Sequence, residues 1–80
     1  MSTSPVRIEP LATGVSCTND ALRVTLADGR EIAVPLAWFP RLQAASEDER
    51  SSWRLIGGGV GIHWPDLDED ISVDGLLAIR

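Results

Sequence analysis

The sequence predicts an α+β fold in a single small domain spanning residues 1–80, with 5–79 as its ordered part. Its expected content is two β-hairpins and an N-terminal strand packed with two or three short helices. Three observations point there. First, Leu22-Arg23-Val24-Thr25-Leu26 and Glu31-Ile32-Ala33-Val34-Pro35-Leu36 alternate apolar and polar residues on either side of an Asp28-Gly29 pair. Asp-Gly favours the positive φ of a tight hairpin turn. Second, the apolar runs Trp53-Arg54-Leu55-Ile56 and Val60-Gly61-Ile62-His63-Trp64 flank Gly57-Gly58-Gly59, a second hairpin or bulged turn. Third, Ser46-Glu47-Asp48-Glu49 has the spacing of a capping box, with Ser46 as the cap and Glu49 reaching back.

The remaining elements follow in chain order. Val6-Arg7-Ile8-Glu9-Pro10-Leu11 alternates as an N-terminal strand, and Thr13-Gly14 breaks it. Val15 to Thr18 reads as extended chain or loop, and Asn19-Asp20 as a turn. In the first hairpin, Leu22, Val24, Leu26, Ile32, Val34 and Leu36 share the inner face. Pro35 ends or edges its second strand. Pro40 suits the first turn of a short helix to Ala45, and a second helical turn runs from about Glu47 to Ser52. Trp38, Phe39 and Trp53 are expected in the core. Pro65 stops the second hairpin, Asp66 to Asp70 form an acidic loop, and Ser72 caps a last helix from Val73 to Ile79.

Charge and composition exclude several classes. The formal charge is −5, with seven basic and twelve acidic residues. Nucleic-acid affinity rests largely on basic side chains neutralising phosphates, so direct binding to nucleic acid is not expected, nor to an anionic membrane surface. Cys17 is the only cysteine, so an intrachain disulfide and a cysteine-rich zinc site are excluded. A domain this small without staples fits a reducing cytoplasm. No leader and no apolar run near about eighteen residues is present, so neither a signal peptide nor a membrane span is expected.

The stretch from Val24 to Leu42 resembles the first half of the bacterial "domain of unknown function 2442" family. Glu49-Arg50, Trp53, Leu55-Ile56-Gly57-Gly58-Gly59, the run from His63 to Val73 and Gly75-Leu76-Leu77 resemble its second half. The resemblance implies a small α+β domain of hairpins on short helices. It also implies that some relatives carry the domain ahead of a helix-turn-helix segment, while others stand alone beside genes for toxin-like proteins. It supplies no catalytic residues.

The residues with chemical potential are concentrated late in the chain. Gly57 to Gly61 lacks the Lys and Ser or Thr of a phosphate loop and is followed by a strand pattern, so a hairpin turn is the expected reading. Asp66, Asp68 and Asp70 have the alternate spacing of a calcium loop. Its later Gly and Glu positions hold Ile71 and Leu77, so a solvated acidic loop is expected and no metal or cofactor. His63, beside Trp64, is expected to be packed or paired with a nearby Asp, and a pH-sensitive contact there is conceivable. Cys17, His63 and Asp66 make a nucleophilic set only on paper. No catalytic residue is assigned. His63, Trp64, Asp66, Asp68, Glu69 and Asp70 are the candidate partner surface, with Trp64 either an aromatic anchor in an acidic rim or an ordinary core residue. The leading expectation is a non-enzymatic module binding a small basic protein, antitoxin-like. The alternative is a regulatory or sensing domain working with a separate helix-turn-helix protein. A homodimer is a further partner the sequence leaves open.

Overall fold

A computed structural model describes residues 10–78 and folds them into two three-stranded antiparallel sheets with three short α-helices. The α+β class expected from the pattern is the class observed. The first sheet has the order β1 (Ala12–Cys17), β2 (Ala21–Leu26), β3 (Glu31–Pro35). Leu22, Val24, Leu26, Val34 and Leu36 are buried and Ile32 packs against them, so the inner face is the one the alternation predicts. Asp28-Gly29 makes the turn, with Gly29 at φ 91°.

After β3 the chain makes a 3-10 turn, Leu36–Trp38, then α1 (Pro40–Gln43) and α2 (Glu47–Ser51). The capping box is formed as expected. The Glu49 amide donates to Ser46 Oγ at 3.2 Å, and the Ser46 amide donates to Glu49 Oε1 at 2.9 Å. The second sheet has the order β4 (Arg54–Ile56), β5 (Gly61–Trp64), β6 (Glu69–Ser72), and α3 (Val73–Ala78) closes the described chain. Ser72 Oγ accepts the Gly75 amide at 2.9 Å and so caps α3. One core joins the elements. Leu22 and Leu36 from the first sheet and its turn, Leu42 from α1, Ile62 and Trp64 from β5, and Val73 at the start of α3 are all fully buried.

The β4–β5 turn is a set of backbone conformations that L side chains resist. Gly57, Gly58 and Gly59 have φ of 60°, 71° and 114°. Gly59 also lies where the two sheets meet. Its carbonyl accepts the Ala12 amide at 2.8 Å, and a Cβ there would stand 2.5 Å from the Ala12 carbonyl oxygen.

The structure departs from several expectations. The N-terminal strand expected at Val6 to Leu11 falls largely outside the described residues. Pro10 and Leu11 are not strand. Strand pairing starts at Ala12, and Thr13-Gly14 is not a break but a bulge in the β1–β2 register, where Ala12 faces Leu26 and Gly14 faces Thr25. Asp66 to Asp70 is not one loop. A 3-10 turn, Pro65–Leu67, and left-handed Asp68 at φ 50° reverse the chain, so that Glu69–Ser72 returns as β6. Ile71 is the only apolar residue in that strand, too little alternation to read. Trp38 is 50% exposed, not core. In a 3-10 turn residues three apart eclipse, so Leu36 and Phe39 point inward together and Trp38 points away. Trp53 is only partly buried, outside β4, against the edge of the core.

Candidate functional site

β5 is the middle strand of its sheet, and Gly61, Ile62 and His63 each have a cross-strand neighbour on both sides. His63 faces Arg54 on β4 and Asp70 on β6. Side chains alternate along a strand, and Ile62 and Trp64 are fully buried, so His63 stands on the opposite, outer face. Opposed residues of antiparallel strands hold their Cβ atoms about 4.5–5.5 Å apart. Arg54, His63 and Asp70 therefore form one row across the sheet.

Within that row His63 Nδ1 lies 2.5 Å from Asp70 Oδ1. An ionised carboxylate can only accept, so the Nδ1 proton is donated to Asp70 and Nε2 is left as the free ring nitrogen. The His63 side chain is 26% exposed and that of Asp70 is 69% exposed. Both line an open cleft of about 430 Å³ together with Arg54, Leu55 and Ile56. The Arg54 side chain makes no hydrogen bond or ion pair among the described residues. The other described arginines are all engaged. Arg23 pairs with Glu31, Arg30 with Asp28, Arg41 donates to the Asp68 carbonyl, and Arg50 to the Leu42 carbonyl.

The other candidate residues separate. Trp64 is 0% exposed, and its indole N–H donates to the Arg50 carbonyl at 3.0 Å. Of its two readings the packed one is observed. A side chain with no accessible surface offers nothing to a partner, so Trp64 leaves the candidate surface. Asp66 is exposed in the 3-10 turn and Asp68 is exposed in its left-handed conformation. Glu69 is half-buried opposite Trp64. Among the described residues no three His, Cys, Asp or Glu side chains converge as a metal site. A second cleft, of about 250 Å³, is lined by β6 from Glu69 to Ser72 together with Phe39, Gly75 and Leu76, and shares Asp70 with the first.

Cys17 belongs to β1 in the other sheet, and the carboxylate on His63 is that of Asp70, not Asp66. Burial pushes the Cys17 thiol up, partly offset by the nearby Arg50 guanidinium. A thiol so placed stays protonated and is a poor nucleophile. Arg50 was missed as a structural hub. Besides Leu42, it donates to the Gln43 carbonyl at 2.8 Å and to Asn19 Oδ1 at 3.3 Å, tying α2 to the end of α1 and to the β1–β2 bend. Arg54 was missed as a site residue. The signal was available: a four-residue turn over 57–60 pairs 56 with 61, and hence 54 with 63.

Residues 12–80 match the family model described as "Protein of unknown function (DUF2442)". The chain belongs to this family. A solved structure similar to this DUF2442 domain is that of a protein of unknown function from Rhodospirillum rubrum ATCC 11170. The two are 31% identical with a TM-score of 0.71, over 85% of this chain and 84% of that one. No curated protein matches the chain. Both similarities agree with the α+β architecture, and neither carries an activity to this DUF2442 domain.

Proposed function

We propose that this domain is a non-enzymatic protein-binding module, antitoxin-like, whose partner is a small basic protein of the cytoplasm. The observation that carries the reading is the composition of one surface. Leu55, Ile56 and Val60 are 36%, 44% and 54% exposed along the edge formed by β4 and its turn, Ile56 on the outer face and Leu55 on the face it shares with Ile62. The exposed carboxylates of Asp66, Asp68 and Asp70 follow on the next turn and strand of the same sheet. Exposed aliphatic side chains bordered by charge suit a contact surface, and carboxylates there speed encounter with a basic partner. The excess of acidic residues disfavours nucleic acid as the direct partner.

The test is a pull-down from native lysate read by intact mass. A basic protein is expected on the native chain, released by salt, and lost from both Ile56→Asp and the double variant Asp66→Asn/Asp68→Asn. Retention of no basic protein, or equal retention by the variants, sinks the reading.

A second reading is a regulatory domain acting with a separate helix-turn-helix protein, as the family resemblance implies. One feature favours it: among the described residues β4 is an outer strand of its sheet, and such edges invite pairing with another chain. Regulators of that kind usually read two-fold sites as dimers. Light scattering at high concentration should then report a dimer, and a strict monomer removes this reading.

A further inference from the structure

We propose that Arg54 and His63 form a binding site for an oxyanion, a carboxylate or a phosphate group, on the outer face of the second sheet. The site borders the surface of the basic-partner reading, sharing Leu55, Ile56 and Asp70 with it, and takes the opposite charge through Arg54 and His63. Three observations converge on it. Arg54 is the one described arginine whose side chain makes no hydrogen bond or ion pair among the described residues, whereas Arg23, Arg30, Arg41 and Arg50 are each committed. The strand register sets it directly opposite His63. Both line the same open cleft of about 430 Å³.

The chemistry of the row is directional. Asp70 accepts the Nδ1 proton of His63 and so holds the ring with Nε2 free. When the ring is protonated, Nε2 becomes a second charged donor beside the Arg54 guanidinium. A guanidinium presents parallel N–H groups that match two oxygens of a carboxylate or phosphate, and charge-assisted bonds of this kind are the strong ones. The charged groups facing His63 in the cleft are Arg54 from β4 and Asp70 from β6, and the remaining lining is Leu55 and Ile56. With the ring neutral, Arg54 and Asp70 cancel. With the ring protonated the cleft is net positive. Leu55 and Ile56 supply an apolar wall for whatever carries the anionic group.

The experiment is an NMR titration of the full chain with inorganic phosphate and, separately, with acetate, following the His63 ring and the Arg54 side chain. Saturable shifts of both are expected. Arg54→Gln and His63→Gln are each expected to weaken binding about tenfold. Arg23→Gln, which breaks an ion pair on the other sheet, should leave it unchanged. Saturation by phosphate alone assigns a phosphorylated ligand, and saturation by acetate as well assigns a carboxylate. The proposal is overturned if neither anion shifts Arg54 and His63, or if Arg54→Gln and His63→Gln, still folded by their spectra, bind as tightly as the native chain. Loss of the basic partner in the pull-down leaves this result untouched, so the two readings fail separately.

Discussion

The two sheets are built alike and finished differently. Each is a three-stranded antiparallel meander, and each turns one face to the shared core. The outer face of β1–β2–β3 is polar and satisfied: Thr13 Oγ1 donates to the Thr25 carbonyl, and Arg23 pairs diagonally with Glu31. The outer side of β4–β5–β6 carries an Arg54 side chain with no partner among the described residues, an imidazole with one free nitrogen, and the exposed Ile56. The second sheet leaves polar and apolar groups open on one face, which is where a binding surface is expected.

The largest effect that can break this comparison is in the core beneath the second sheet. Trp64→Ala removes a fully buried indole and leaves the Arg50 carbonyl without its donor. Such a truncation costs about 3–5 kcal/mol, on the order of the whole stability of a small domain. Urea unfolding followed by circular dichroism should find little or no folded protein. Trp53→Ala, at a partly buried position, should cost roughly half as much and stay folded. Equal losses would mean that Trp64 is not the anchor of the second sheet.

The junction between the sheets comes next. Gly59→Ala forces a Cβ against the Ala12 backbone at positive φ. It should cost at least about 2 kcal/mol by the same urea assay. An unaffected midpoint would show that the sheets do not depend on this contact.

Asp68 gives a smaller, signed effect. It sits at φ 50°, where Asp is tolerated and Ala is not. Asp68→Ala should cost about 1 kcal/mol, while Asp68→Gly should be neutral or stabilising in thermal melts. If the two variants melt together, backbone conformation is not what this residue supplies.

The smallest effects belong to the open face. Arg54→Gln and Ile56→Asp should each shift stability by no more than about 0.5 kcal/mol, because neither side chain is buried among the core residues. A larger loss at either position would make that face structural and remove the contrast between the sheets.

The β2–β3 hairpin was legible because its determinants are local: period-two alternation, an Asp-Gly turn and a proline at the strand end. The capping box at Ser46, the Ser72 cap and the Gly57–Gly59 turn are local in the same sense, since hydrogen-bonding side chains and φ preferences act within a few residues. The pairing of His63 with an aspartate was foreseeable from composition, though not which aspartate, nor that Arg54 completes the row. That choice required the return of β6 onto β5, which a single left-handed residue and one buried isoleucine bring about. The tryptophans show the same limit. All three are apolar and large, so sequence alone ranks them together. Only the folded chain decides, because the eclipsed 3-10 turn throws Trp38 outward, the position of Trp53 ahead of the edge strand leaves it half covered, and the central strand sinks Trp64 completely. By itself, then, the sequence determined what short-range forces encode: turns, caps, alternation and charge. The tertiary structure decided which faces were covered and which side chains met, because burial and cross-strand contact depend on residues far apart in the chain.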